Sequence, residues 1–509
     1  MKKLYFLFFF ISQIFAFGQS QNLAALAQGE YVAFNALFDQ KENLFGYFTL
    51  YSYGKSGDKT KKFEYVILDK NLNPIANKEF EGDITANRYF AYMDFNGKII
   101  LKPSEIDYYV LKNKDFFIPR SKEISLQDNT IANKLYYDYK DGAFAEMAEP
   151  KSYKADQKEE RAEKKEKGYN YVSYVSEIKE GGFVALEFNN YGNYINNNNL
   201  IKFNEKQKEI WRYQYNTSGN KKVNESLTIL DKDENYIYTL LQNNDKKNKT
   251  FQLLILDMKT GKEVYKQPVT GLTPNTLDAI NSLNTYSFGK IDNDKTFDDK
   301  IVILGRTYND DMRATGFSRM MIDKKTFAMD TKEISYESLK PSVKNIDAYG
   351  YVEMCYFLDP RDAYFMKDGS VGILMEKYKP EGQYSAPKTT DLVYLFTDKD
   401  FKVSEVKIFE KEKTKWANSD YLFSQYLNDG EDVVFFYRDF QKDAVTKQKN
   451  WNLYINTLIG GKFNQEMVPI SAKDDFLVYP YVGKEGYILL REMNEKEKFN
   501  KIRLERLNY

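Results

Sequence analysis

Asp292, Asp294, Asp298 and Asp299 crowd one short stretch of the chain, with Asn293 and Thr296 among them. Side-chain oxygens gathered this way are what a calcium ion binds. The spacing departs from the helix-loop-helix calcium loop, which needs Gly at its sixth position and Glu at its twelfth. Counting from Asp292, those places hold Phe297 and Ile303. A solvated turn without a metal is expected, and Asp292, Asp294 and Asp298 are the positions that would overturn it. Asp231-Lys232-Asp233-Glu234 is a weaker case of the same kind. A second constellation is Arg306, Arg313 and Arg361 with Asp359 and Asp362. Carboxylates beside guanidinium groups could hold sugar acids, and two carboxylates at a set separation could cleave a glycosidic bond. Spacing along the chain does not give separation in space, so paired surface charges are the expectation and no catalytic residue is assigned. Tyr191-Gly192-Asn193-Tyr194 and Gly382-Gln383-Tyr384 place aromatic rings in polar loops, where they could stack on sugars or peptides.

Composition narrows the chemistry further. The chain has no histidine, which removes Ser-His-Asp and Cys-His nucleophiles, imidazole acid–base catalysis and His-ligated metals. Its single cysteine, Cys355, cannot form an intramolecular disulfide, and its apolar neighbours predict a buried, unreactive thiol. The 74 basic and 74 acidic residues balance, so there is no electrostatic footprint for nucleic acid or an anionic membrane. No cofactor is expected.

The elements that must position these residues are strands. A hydrophobic fraction of 42%, with 42 Tyr and 37 Phe, suits pleated surfaces and a sizeable core. The clearest unit runs from Val352 to Phe409. It reads as a strand at Val352–Leu358, a turn at Lys367-Asp368-Gly369, and strands at Val371–Met375, Leu392–Phe396 and Phe401–Phe409. Related four-strand meanders recur along the chain, eight in all, at uneven spacing. The second strand of most follows a turn carrying Gly, Asn or Asp. The third often closes on an Asx turn, at Asp69, Asn204, Asp257, Asp323 and Asp398. The second unit is imperfect, with weak outer strands near Tyr108–Leu111 and Phe116–Ile118. Between Gln127 and Gly168 the pattern breaks. Lys151–Lys167 carries Glu160/Lys164 and Glu163/Lys167 at helical spacing but almost no apolar stripe, which predicts a charged helical or disordered insertion.

Second strands such as Ile301-Val302-Ile303-Leu304 and Val433-Val434-Phe435-Phe436 are apolar without alternation. A strand with one wet face alternates, so these must be covered on both faces. By meander and turn, the chain resembles bacterial exported β-propeller proteins, in which each four-stranded blade is sandwiched between neighbours. The resemblance implies an all-β fold of seven or eight four-stranded blades. It rests on no signature: Gly-His and Trp-Asp repeats, the Ser-x-Asp-x-Gly-x-Thr-Trp box and a double glycine in every blade are all missing. The rival is a tandem of β-sandwiches, which predicts Pro/Gly/Ser-rich linkers that the sequence lacks. The last unit has no evident fourth strand, and a segment near the mature N-terminus could supply it. The lead-in, Ser20–Gly29, is expected to be mobile.

Lys2 and Lys3 followed by the apolar run Leu4–Phe17 read as a signal peptide, with small residues at Ala16 and Gly18 and cleavage before Gln19. The run is shorter than the roughly 20 residues a spanning helix needs. The expected domains are a leader over 1–18 and a propeller over 19–509, with 127–168 inserted. The expected product is a monomer, periplasmic or extracellular, with no integral membrane segment. Two functions fit. One is a non-catalytic binder of a cell-envelope protein, peptide or glycan; the other is a carbohydrate-active enzyme using carboxylates in the propeller funnel. Binding is the preferred reading.

Overall fold

The computed structural model describes residues 20–508, except for short internal stretches, chief among them 108–118, 147–153, 163–169, 190–197, 282–293 and 471–476. Residues 1–19, on which the expected leader falls, therefore lie outside the described residues, as do Tyr191–Tyr194. The chain divides into two compact units. One is formed by residues 1–166 with 469–509, the other by 167–468.

Each unit is built from four-stranded antiparallel meanders, the blades. In the first unit, blade 1 comprises Glu30–Phe38, Leu44–Lys55, Thr60–Asp69 and Pro74–Asp83. Blade 2 comprises Ala86–Met93, Ile99–Ile106, Lys122–Ser125 and Thr130–Asn133. Blade 8 takes Leu477–Val482, Tyr487–Asn494 and Phe499–Arg506 from the end of the chain and Ser20–Asn22 from its beginning, with Gln21 opposite Ile502. In the second unit, blade 3 is Asn170–Glu177, Phe183–Asn189, Asn198–Phe203 and Glu209–Tyr215. Blade 4 is Val223–Lys232, Tyr236–Asp245, Asn248–Asp257 and Glu263–Pro268, and blade 5 is Asp294–Thr296, Lys300–Tyr308, Ala314–Asp323 and Met329–Ser335. Blade 6 is Phe357–Phe365, Val371–Lys379, Lys388–Thr397 and Val403–Phe409, with Thr414–Lys415 added beside its third strand. Blade 7 is Tyr421–Leu427, Asp432–Lys442, Lys449–Ile459 and Lys462–Pro469.

The second strands show why this pattern is stable. In blade 5, Ile301 and Ile303 pack with Tyr238, Leu240 and Leu253 of blade 4. Their neighbours Val302 and Leu304 pack with Ile373, Met375 and Val393 of blade 6. Alternate residues of one strand thus serve opposite neighbours, which is what an unbroken apolar run requires. Blade 6 repeats it, since Leu374 joins Val433 and Phe435 of blade 7. In the first unit, Phe48 and Leu50 of blade 1 face blade 2, while Tyr47 and Tyr51 face blade 8. Each such sheet is sandwiched between two others, and tandem sandwiches do not do this. The fold is all-β and of the β-propeller class, with eight blades among the described residues.

The Asx turns form as the sequence predicts. The carboxylate of Asp323 accepts from the backbone N–H groups of Lys325 (3.0 Å) and Thr326 (2.7 Å), and that of Asp69 from Asn71 and Asn73 (both 2.8 Å). Asn204, Asp257 and Asp398 act alike. Gly369, at φ +90°, takes the left-handed position in the blade 6 turn.

Several expectations are corrected. The outer strands of blade 2 are Lys122–Ser125 and Thr130–Asn133, so the blade reaches into the stretch assigned to the insertion; residues 108–118 lie outside the described residues. A hairpin of Leu135–Asp138 and Ala143–Glu146 follows, then helical residues between 154 and 162. Ser20–Gly29 is a strand and a short 3-10 turn, with Leu23 fully buried, because this segment supplies the missing strand of blade 8. Val352–Tyr356 is a turn closed by Val352 N–H to Tyr356 O at 2.8 Å, and the first strand of blade 6 begins at Phe357. Cys355 sits in that turn, exposed and at φ 68°, so the buried-thiol expectation fails. A capped two-turn helix, Pro274–Asn281, joins blades 4 and 5, with Thr276 N–H donating to the Thr273 hydroxyl at 3.1 Å.

Candidate functional site

The stretch from Asp292 to Asp299, expected to be a solvated turn, is in part a strand. Asp294 lies in the first strand of blade 5, opposite Ile303, and Asp292 and Asp298 lie outside the described residues. Asp231 is committed to Lys324 at 2.8 Å, and Asp233 caps a turn through Asn235 and Tyr236. Among the described residues, no group of three His, Cys, Asp or Glu could hold a metal ion.

The charged residues of blades 5 and 6 do come together, at the leading end of a blade, where its first strand begins and its second strand ends. Arg306, near the end of a second strand, donates to Asp359 of the next blade at 2.9 Å. Arg361 donates to Asp359 (3.0 Å), to Glu376 (3.0 Å) and to the Asn418 carbonyl (2.6 Å). Asp362 turns elsewhere, because a register shift at Pro360/Asp362 rotates it toward blade 7. There it accepts from the hydroxyls of Tyr421 and Ser424. Arg313 stands on the turn after the second strand of blade 5, its guanidinium 5.2 Å from the centre of the Tyr349 ring.

Behind this surface lies a buried polar network that the sequence reading missed. Glu376 is fully buried and accepts from Arg361, from the Ser419 hydroxyl (2.8 Å) and from the Asp420 N–H (3.0 Å). Burial pushes its carboxyl up, against the opposing pull of Arg361 and Lys411. Asp420 accepts from Lys411 Nζ (2.6 Å), Thr389 (2.8 Å) and Arg438 (3.2 Å). Its burial works to raise the carboxyl, but Lys411 and these hydrogen bonds outweigh it and hold Asp420 below the usual range. Asp439 accepts from the N–H groups of Phe440 and Glu412, and burial raises it. Such residues recur where second strands approach the leading end: Glu187, Gln242, Thr307, Glu376, Asp439 and Asn494 are all buried. For Glu187 and Glu376 the sequence signal was available, since each directly continues an apolar run: Glu187 follows Phe183–Leu186 and Glu376 follows Val371–Met375.

Aromatic residues crown the same end of blade 6. Tyr384 is 92% exposed at the tip of a turn closed by two Gly382–Ser385 backbone hydrogen bonds. Trp416 is 81% exposed, holds φ 67°, and is pinned by its N–H to the Pro387 carbonyl at 3.0 Å.

No protein-family model and no curated protein matches the chain. Among solved structures, the chain is similar to the β-propeller domain of the Trilobed protease from Pyrococcus furiosus, at 10% identity and a TM-score of 0.32, covering 89% of this chain and 98% of that one. Prolyl oligopeptidase B from Galerina marginata gives 10% identity and 0.35, covering 92% and 56%. The α-L-arabinofuranosidase Arb93A from Fusarium graminearum gives 10% and 0.27, covering 66% and 93%. The likeness is one of fold alone, and nothing these proteins act on carries over.

Proposed function

We propose that this chain is an exported, non-catalytic β-propeller that binds a protein, peptide or glycan of the cell envelope through the leading end of its middle blades. The observation that carries this is the exposure of both Tyr384 and Trp416, large rings held out in solvent on hydrogen-bonded turns. Leaving such rings exposed forgoes their burial, and rigid aromatics are what binding surfaces use as anchors. The carboxylates beneath them are already committed: Asp359 to two guanidinium groups, Glu376 to Arg361 and Ser419, Asp420 to Lys411. A general acid needs reach to substrate, and Glu376 is fully buried.

The test is capture from an envelope fraction alongside a glycan and peptide array, using wild type and the Tyr384→Ala/Trp416→Ala variant. Retention of a defined ligand by wild type and its loss in the variant supports the reading. Turnover of any glycan that disappears in Glu376→Gln refutes it in favour of the enzyme. Export predicts a mature chain beginning at Gln19 by mass spectrometry, and an intact Met1 would refute it. No helix among the described residues is long and apolar enough to cross a membrane.

A further inference from the structure

At the leading end of blade 6, three lysines face one another across three strands. Lys379 is the direct partner of Lys388, and Lys388 the direct partner of Lys415. Direct cross-strand partners share one face of a sheet, with strands about 4.8 Å apart, and like charges so placed repel. Neither Lys388 nor Lys415 makes an ion pair among the described residues. Blade 7 repeats the arrangement, with Lys442 opposite Lys449 at the base of its own second hairpin. The segment bridging the two blades carries Trp416 directly after Lys415, and Tyr384 tips the adjoining hairpin.

No acid among the described residues forms an ion pair with Lys388 or Lys415. Glu412 is engaged by Lys442 at 3.0 Å, and Asp443 is occupied by the N–H groups of Val445 and Thr446. Glu381 remains in the loop beside Tyr384. A self-repelling row opposes folding, and an anion lying along it relieves the repulsion.

We infer that this strip binds an anionic polysaccharide, its acid groups on Lys388, Lys415 and their neighbours and its sugar faces on Trp416 and Tyr384. The inference rests on the binding function proposed above and names the ligand class. Two features favour a glycan over other polyanions. The exposed rings offer flat apolar faces to the C–H faces of sugars. The balanced charge of 74 against 74 provides none of the overall positive field that nucleic-acid binding draws on.

Titration calorimetry of the full chain with polygalacturonate, dextran and poly-glutamate tests it. Polygalacturonate should bind, dextran should not, and added salt should weaken the complex. The Lys388→Glu/Lys415→Glu variant should lose about tenfold or more in affinity, and Trp416→Ala should lose several-fold, about 1 kcal/mol per fivefold change. Lys388→Gln, a milder change verified as folded by circular dichroism, should fall between. No binding of polygalacturonate, or binding untouched by the lysine variants, overturns the inference. Equal binding of poly-glutamate that ignores Trp416→Ala also overturns it and points to an acidic peptide. In these cases a ligand retained in the array experiment leaves the binding function standing, whereas glycan turnover refutes that function itself.

Discussion

Lys411 and Asp420 form a fully buried pair at 2.6 Å, and the physics of such a pair is asymmetric. The pair as a whole can be close to neutral for stability, but removing one member strands the other in a low-dielectric interior. Lys411→Met should therefore cost about 3 kcal/mol in urea denaturation, even though Thr389 and Arg438 still reach Asp420. A loss below about 0.5 kcal/mol, the scale of ordinary surface substitutions, would show that the pair does not organise this end of the blade. The residues that drew attention in the sequence divide by their surroundings. Arg306, Asp359 and Arg361 meet because neighbouring blades bring them within hydrogen-bond distance. Asp362, one residue beyond Arg361, is turned away by a bulge that no residue type announces. Cys355 is exposed because the apolar run Val352–Leu358 opens in a turn and becomes strand only at Phe357.

At the scale of elements, blade 8 depends on a strand that comes from the other end of the chain. Leu23, fully buried, packs with Tyr47 and Tyr51 of blade 1 and with Leu489, Ile502 and Leu504 of blade 8, and its carbonyl accepts from the Tyr51 hydroxyl at 2.5 Å. Leu23→Ala should cost about 2–5 kcal/mol, seen by circular dichroism as a lowered melting transition. An unchanged transition would mean that Ser20–Ala25 is an accessory to the blade. This closure was legible as a missing fourth strand in the last meander. The outer strands of blade 2 were less so, because Lys122–Ser125 and Thr130–Asn133 are short and mostly polar; the pairing of the first with Ile99–Leu101, and of the second with the first, supplies what their composition lacks.

At the scale of the molecule, the turn aspartates act together. Asp257 and Asp323 are held below the ordinary carboxylate range by hydrogen bonds from Thr260 and Thr326. Burial works to raise Asp69, but the bonds from Asn73 and Asn71 overcome it and hold it low too. A carboxylate lowered in the folded state contributes stability that is present above its unfolded pKa, about 3.9, and is lost as pH falls through the folded value. Glu376 and Asp439, raised by burial, run the other way, since their contribution fades as pH rises through the folded value. The lowered group is spread over several blades, so the melting temperature should fall between about pH 5 and pH 3, with a shallower fall in Asp257→Ala/Asp323→Ala. A fall of the same steepness in that variant would remove the turns as the cause. The sequence by itself determined the meander, its Asx turns and the double-sided burial of the second strands, because hydrogen-bonding turn residues and unbroken apolar runs are local properties of the chain. Only the tertiary structure decided that three lysines stand in one row, that Glu376 and Asp420 are buried beside Arg361 and Lys411, and that Trp416 and Tyr384 crown the same end of a blade. These are distances across strands and between blades, and they depend on register and bulges that spacing along the chain does not encode.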